Sequence, residues 1–329
     1  MILVEVCSNA VSWDDTVLEC DGHPLQMWGW GEVKSRYKWR ASRLLVKDGG
    51  VTIGGAQVLT RRLPWPFKSL HYIPRGPFAE KDREVDVLNE ITGYLRVHMG
   101  GTLITVEPDS ENLPECPGWI KSTNTILIPE TLILDLTKST DELQSDMSKK
   151  TRQYIRKSAN EDGMTIRRVR QRDEIAKCLD IYRQTAQRAG FPIHGDDYYY
   201  NIHELMGDSS IIFAAFHNDQ PVAFVWMVIS GSVSFELYGG MNDEGQKLRA
   251  NYALKWHAIT KCKEWGIDRY DMNGLLNDGV STFKRGFASH ENLLAGTYDY
   301  PISGFLYTVW SRGLPMTKKT IRKIKSLRK

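Results

Sequence analysis

Cysteine is scarce in this 329-residue chain. The five present, Cys7, Cys20, Cys116, Cys178 and Cys262, are odd in number, widely scattered and free of any CxxC pair. That pattern builds neither a disulfide framework nor a zinc site and suits a reducing compartment. The eight histidines form no HExxH motif, so no bound metal is expected. Long apolar runs are missing as well: the longest, Pro221 to Ile229, is less than half of the ~20 residues that a membrane-spanning helix needs. The N-terminal MILVEV carries Glu5 and no basic region ahead of a long apolar segment, unlike a secretory signal. No serine stands in a GxSxG elbow and no Cys–His pairing is evident, which argues against a covalent enzyme. Gly29-x-Gly31 is no dinucleotide fingerprint either, since no strand precedes it and the third glycine is absent.

What is present describes an ordinary globular protein, 41% apolar and 25% charged, with enough length for about two domains. Its formal net charge is +3, unevenly spread. Residues 317–329 carry seven of the 43 Lys and Arg and no acid, leaving 36 cations against 40 acids in the remaining chain, a net −4. A slightly acidic body with a basic tail argues against a protein that coats nucleic acid, while leaving room for local phosphate contacts.

The strand Ile2 to Cys7 precedes HPLQMWGWGEVKSRYKWR, where Trp30, Val33 and Tyr37 predict one face of a helix, with Lys34 off that stripe. Residues 42–62 read as a hairpin turned at Asp48-Gly49-Gly50. The strand Leu70 to Ile73 runs into Pro74-Arg75-Gly76-Pro77, followed by a helix from about Asp82 to His98 and the strand Thr102 to Glu107. After the buried strand Leu132 to Leu136, one helix is expected from an N-cap at Ser139. Its acids come early (Asp141, Glu142) and its cations late (Lys149, Lys150, Arg152, Arg156, Lys157), the order that complements the helix dipole. The second half repeats the plan with the strand Thr165 to Val169, helices at Arg172 to Ala189 and Asp196 to Met206, and a hairpin turned at Asn218-Asp219. The strand Ser232 to Tyr238 and a helix from about Leu248 to Trp265 follow. Hairpin, strand, helix, strand in each half predicts two related α/β domains, 1–162 and 163–316, with a basic tail at 317–329. The final strand and tail are free to pack back across that boundary.

The chain is organised around IDRYDMNGLLNDGVSTFKRGF, Ile267 to Phe287. A short buried strand stops at Asn273-Gly274, a pair suited to a turn with positive φ. Further on, Lys284 stands between Phe283 and Phe287, an arrangement that can bury the lysine stem and fix its ammonium. Glu107 ends the first half's strand and Lys284 follows the second half's, so the two are expected at corresponding ends of the repeats, where clefts form. With no covalent nucleophile evident, what remains is chemistry by positioning: an amine brought to an activated carbonyl, with a cation for the oxyanion.

LQMWGWGEVK, YIPRGPF, the VEP strand end, ILDLTKSTDELQSDMSKKTRQYIRKS, YDMNG and FKRGF follow one another along nearly the whole chain. In this order they resemble the Fem family of non-ribosomal peptidyl transferases, aminoacyl-tRNA-dependent enzymes that build peptidoglycan cross-bridges. The resemblance implies two tandem acetyltransferase-like (GNAT-like) domains, no cofactor, and aminoacyl-tRNA and a lipid-linked or UDP-linked muropeptide as partners. It also implies a cytoplasmic location; in the tail itself Ile321, Ile324 and Leu327 can share one helical face amid cations, a pattern able to lie on the inner face of an anionic membrane or to touch tRNA phosphates. By the same resemblance Lys284 is the catalytic cation, Phe283 and Phe287 shape its pocket, and Lys34 contacts precursor phosphates. Tyr198 and Tyr238 line the precursor's site, and Glu107 stands where a relative has an Asp proposed to handle the amine proton. His194 replaces an arginine that pairs with the first lysine in some members, and the long coiled-coil arm of staphylococcal members is absent. Two other readings stay open: an acyl-CoA-dependent N-acyltransferase, disfavoured because GGMNDEGQKLRAN lacks clustered glycines before its helix, and a non-enzymatic RNA-binding or scaffold protein.

Overall fold

The computed structural model describes residues 1–276, 278–311 and 313; the basic tail therefore lies outside the described residues. In chain order the strands are β1 (Ile2–Val6), β2 (Arg40–Asp48), β3 (Val51–Arg62), β4 (Ser69–Pro74), β5 (Phe78–Ala79), β6 (Leu103–Glu107), β7 (Ile120–Lys121) and β8 (Glu130–Thr131). They continue as β9 (Ile133–Asp135), β10 (Met164–Val169), β11 (Ser210–His217), β12 (Gln220–Ser230), β13 (Val233–Met241), β14 (Arg269–Asp271), β15 (Asn292–Leu293) and β16 (Tyr298–Pro301). The helices are α1 (Ala10–Glu19), α2 (Trp28–Ser35), α3 (Glu84–Tyr94), α4 (Thr140–Asp146), α5 (Lys149–Ala159), α6 (Arg172–Ala189), α7 (Asp196–Met206), α8 (Asp243–Leu248), α9 (Ala250–Glu264) and α10 (Gly279–Arg285).

The chain forms two units. One comprises Met1–Thr16, Lys34–Leu127 and the described residues from Ala295 onward, the other Val17–Val33 and Ile128–Leu294. A single cut at 162 therefore misplaces three segments, 17–33, 128–162 and the described residues from 295 onward, and for the last two strand pairing rather than chain order decides membership. Residues 133–135 supply β9, which pairs antiparallel with β14, and residues 298–301 supply β16, which pairs antiparallel with β6.

Within the first unit the strand order is β1-β2-β3-β4-β6-β16-β7, with β5 on β3. The β2–β3 hairpin turns at Gly49 and Gly50, both at positive φ, as the Asp-Gly-Gly signal predicts. On α3 the buried residues Val87, Leu88 and Ile91 recur at helical spacing, and Val87 and Ile91 join Leu44, Val46, Ile73, Ile104 and Val106 in one core. In the second unit the order is β10-β11-β12-β13-β14-β9, around a core that includes Phe213, Met227, Leu254, Ile259, Tyr270 and Phe287. Each unit thus runs as an antiparallel meander into one parallel pair, β4 with β6 and β13 with β14. Each then closes with an antiparallel strand borrowed from a distant part of the chain. This is the repeat read from the sequence.

Three local readings change. Tyr37 falls beyond the end of α2, so only Trp30 and Val33 of the expected stripe are buried helix residues. The helix expected from about 248 to 265 is α9, 250–264, and a further short helix, α8, precedes it, the two being separated by Arg249 in a left-handed conformation (φ 55°). The helix expected from Ser139 onward is also two. Ser139 does cap α4, through a capping box with Glu142. The chain then becomes extended at Met147, and Ser148 caps α5 by accepting from the Thr151 N–H at 3.1 Å. Arg152 donates to the carbonyls of Gln144 and Met147, giving the last turn of α4 partners it would otherwise lack. Lys149 and Lys150 consequently sit in the first turn of α5, against the dipole, rather than late in a long helix.

Candidate active site

The cavity of the second unit arises where its parallel pair comes apart. β13 and β14 are in register only from Val233↔Arg269 to Phe235↔Asp271. β13 then continues to Met241 along β12, while the other strand stops and bends at Asn273, a residue type that tolerates the left-handed φ of 59° found there. The wedge between them is a cavity of about 620 Å³. Ligand sites commonly form beyond the carboxyl ends of parallel strands for this reason. A bulge sets what the cavity sees: Trp226 pairs with Tyr238 but Met227 pairs with Glu236, so Leu237 is an extra residue on β13. Because side chains alternate along a strand, that one insertion sends Glu236 and Tyr238 to opposite faces of the sheet, and both line the cavity.

The splay would strand the main chain of Glu236 just beyond the last paired residues. Asn273 repairs this: its Nδ2 donates to the Glu236 carbonyl at 3.0 Å and its own N–H donates to Asp271 Oδ1 at 2.7 Å. Lys284, on α10, then donates from Nζ to the carbonyls of Asn273 (2.9 Å) and Gly274 (3.0 Å). An ammonium has three N–H groups, so one is left without a protein acceptor among the described residues, on a side chain that lines the cavity. No carboxylate among the described residues is ion-paired with it, and burial pushes its pKa down to about 8.

The aromatic pair does not clamp Lys284 as the sequence implied. Phe283, on α10, and Phe287, just past its end, meet each other edge to face at 5.2 Å. Phe287 is fully buried and stacks on Tyr252 at 6.3 Å, so it anchors α10 to the core instead of shaping the pocket. Only Phe283 reaches the cavity. The cation over its ring is Lys255 of α9, at 5.9 Å from the centroid.

Lys255 is buried and paired with Glu236, whose Oε1 also accepts from Tyr270 Oη at 2.5 Å. Burial and the Glu236 charge hold the Tyr270 hydroxyl well above the usual phenol range, so it remains a donor. The cavity wall therefore carries Lys255, Lys284 and Arg188 with two carboxylates, Glu236 and Asp278. Lys255 is paired with Glu236, Arg188 with Asp243, and Asp278 accepts from the Ser281 N–H and hydroxyl, so Lys284 is the cation of the wall that is in no ion pair among the described residues. Lys255 and Glu236 were missed in the sequence, though a signal was present. Lys255 shares a helical stripe with Ala258, Ile259 and Cys262, all buried, and a lysine on such a stripe needs a partner.

The remaining predicted residues separate into groups. Tyr238 lines the cavity beside Tyr182. Tyr198 is buried, hydrogen-bonded to Tyr238 and stacked on His194 at 4.0 Å; neither Tyr198 nor His194 forms part of the cavity wall. Glu107 and Lys34 belong to the first unit. At the end of β6, the buried Glu107 accepts from Tyr72 Oη, from Thr297 Oγ1 and from the N–H groups of Ile126 (3.1 Å) and Leu127 (2.8 Å), so both carboxylate oxygens are engaged. The position corresponding to Glu107 in the second unit is Asp271 at the end of β14, not Lys284, which stands on α10, eleven residues beyond Asn273. Lys34 is half-buried in the last turn of α2, where burial lowers its pKa to about 8.

The sequence is 25% identical over 250 residues to aminoacyltransferase FemB of Staphylococcus epidermidis, a match covering 54% of this chain and 60% of the relative, so the chain spans about three-fifths of that relative's length. It is 22% identical to the lipid II:glycine glycyltransferase of Staphylococcus aureus strain USA300, with 94% of each chain covered. Among solved structures, FemX superposes with a TM-score of 0.82 at 19% identity, covering 93% of this chain and 100% of that one. A tandem GNAT protein from the clavulanic acid biosynthesis pathway superposes with a TM-score of 0.55 at 11% identity, covering 92% and 99%. These likenesses show the fold, a tandem acetyltransferase-like α/β arrangement. The FemAB family model matches residues 120–220 and 213–312, more than half of the chain, and the protein belongs to the FemAB family.

Proposed function

We propose that the protein transfers an amino acid from aminoacyl-tRNA to an amine on the stem peptide of a peptidoglycan precursor, forming the peptide bond of a cross-bridge. Membership of the family and the names of the relatives, an aminoacyltransferase and a lipid II:glycine glycyltransferase, support the reaction class and the acceptor. The observation that carries the reading is Lys284, a cation in no ion pair among the described residues, held by two carbonyls with one N–H to spare at a cavity wall.

In this reaction the acceptor amine attacks the ester carbonyl carbon, forming the C–N bond and moving the carbonyl π pair onto oxygen. The free Lys284 N–H donates to that oxyanion, which costs no reorganisation because the ammonium is already fixed. Collapse expels the ribose oxygen of the donor, which takes up the proton that the amine gives up. With a pKa of about 8, Lys284 is mostly protonated at neutral pH and delivers its charge in the working range. Lys34 contacts the precursor's phosphates, and Tyr238, backed by Tyr198 and His194, helps to shape the acceptor's site. Glu107, with both oxygens engaged, serves as a brace for residues 126 and 127, and the proton passes from amine to leaving oxygen without it.

Against an acyl-CoA donor stands α8, the helix that follows β13. It opens with Asp243 and Glu244, and its Asn242 cap already occupies the Gly245 N–H at 2.8 Å. Acids in a first turn repel a pyrophosphate. The test is transfer of a labelled amino acid from charged tRNA to a lipid-linked or UDP-linked muropeptide. Product should form and should vanish when the tRNA is digested with RNase beforehand; RNase-resistant transfer from acetyl-CoA would refute the assignment.

A further inference from the structure

The break between α4 and α5 leaves a surface that the chemistry above does not use. Lys149, Lys150, Arg156 and Lys157 are exposed on α5, and none is ion-paired among the described residues. The nearest preceding acid, Asp146, is taken by Lys138 at 2.8 Å. The first turn of α5 holds two lysines and no acid, the reverse of what a helix N-terminus favours, so this charge does not serve helix stability. Arg249, from the turn between α8 and α9, lays its guanidinium over the Tyr154 ring of α5 at 3.9 Å, and Lys150 approaches the same ring at 5.6 Å. This happens at a residue forced into a left-handed conformation, which is unfavourable for arginine.

Aromatic contacts connect this surface to the cavity. Tyr154 meets Tyr252 edge to face at 5.0 Å, Tyr252 meets Phe283 at 4.9 Å, and Phe283 lies on the cavity wall next to Lys284. Two ring contacts therefore separate Arg249 and Tyr154 from the cation proposed to act on the ester.

We infer that α5 and Arg249 form the docking surface for the sugar-phosphate backbone of the donor RNA near its acylated end. This rests on the proposed aminoacyl-tRNA donor and assigns that donor a surface on the second unit. Lysines and arginines neutralise phosphates with release of counterions, and a guanidinium held flat on a tyrosine is oriented to give a phosphate two parallel hydrogen bonds. An anionic bilayer is the less fitting partner: the apolar residue of the helix, Ile155, is buried, and the exposed residues beside the cations are Gln153 and Ala159, which offer no face to insert among acyl chains.

The test replaces Lys149, Lys150, Arg156 and Lys157 together by Gln in the full chain and measures binding of an uncharged tRNA acceptor minihelix by fluorescence anisotropy from 50 to 200 mM salt. Four lost phosphate contacts should flatten the slope of log K against log salt by about 3 and weaken binding in 50 mM salt roughly 100-fold. The Michaelis constant for charged tRNA should rise in parallel while that for the muropeptide stays put. Replacing the three lysines by Arg should retain binding, which separates charge from shape. An unchanged slope and affinity in the Gln variant would overturn the proposal, as would loss of binding to phosphatidylglycerol vesicles with RNA binding intact. Wild-type protein that binds the minihelix through these residues yet transfers nothing from charged tRNA would leave the docking surface standing and remove the proposed donor.

Discussion

Replacing Lys284 by Met removes the charge and keeps a side chain of similar length, so rate and stability can be separated. Losing one oxyanion donor costs 10²- to 10³-fold in kcat, about 3 to 4 kcal/mol of transition-state stabilisation, and the acceptor's KM should stay near the wild-type value because the contact strengthens only as charge develops. Stability should move far less. The fall in the Lys284 pKa from 10.5 to about 8 amounts to at most ~3 kcal/mol of desolvation cost, which the substitution relieves. The carbonyls of Asn273 and Gly274 lose their donor, at about 1 to 3 kcal/mol for each if water does not replace it. The two nearly cancel, and Tm should shift by only a few degrees. The pH dependence adds a second check. A lysine whose folded pKa lies below its unfolded value costs stability in full below about pH 8, and the cost fades as pH rises towards 10.5, because there the unfolded chain binds more protons. Wild-type stability should therefore gain over that window relative to the Met variant. The wild-type kcat should fall as pH rises through about 8, when Lys284 loses its proton, and Lys284→Met should lack that limb. Steady-state transfer across pH 6 to 10, with thermal melts on the same samples, measures both. A Met variant with kcat within threefold of wild type, or one that keeps the alkaline limb, would refute the role of Lys284.

Lys34→Ala should raise the KM for the muropeptide about tenfold with kcat little changed, since a phosphate contact acts alike in ground and transition states; with its pKa near 8, the wild-type KM should also climb as pH rises through about 8. Glu107→Ala orphans the N–H groups of Ile126 and Leu127 and should destabilise by roughly 2 to 6 kcal/mol while kcat, read at a temperature where the variant stays folded, holds; a proton-transfer role would instead show as a collapse of kcat without loss of Tm. Gly286→Ala should lower Tm, because its Cβ would lie 2.3 Å from Thr151 Oγ1, and Thr151→Ala in the same chain should restore most of the loss.

The repeat was legible because it is written in local signals. The Asp48-Gly49-Gly50 turn, the alternation of strands and helices, and the Asn273-Gly274 stop all act over a few residues, and each appears where expected. Membership of the two units was not legible. β9 and β16 are short, and only their partners, β14 and β6, give them a place in a sheet. The helix break at Met147-Ser148 was hidden by a second capping signal. Ser139 and Ser148 are both good N-caps, and the apolar and charged pattern runs through both helices without a gap.

Of the residues singled out in the sequence, Lys284, Phe283 and Tyr238 line the cavity of the second unit, whereas Glu236 and Lys255 went unread and the arrangement was not legible. FKRGF predicts a fixed lysine between two rings, yet Phe287 lies past the end of α10 and packs on Phe283 and Tyr252. What fixes the ammonium is a pair of carbonyls on the Asn273 turn, and those carbonyls point that way because Asn273 bridges the splay to Glu236. Glu236 reaches the cavity because Leu237 is inserted in β13, and its carboxylate holds Lys255 in place and neutralises it. Each of these links joins residues far apart in sequence, so no local pattern could announce it. Together they explain why one of two cavity lysines is ion-paired and the other is not: Lys255 takes the carboxylate that β13 brings to the wedge, and Asp278, the other carboxylate of the wall, is engaged by Ser281 at the start of α10, leaving Lys284 as the cation with charge to offer an oxyanion.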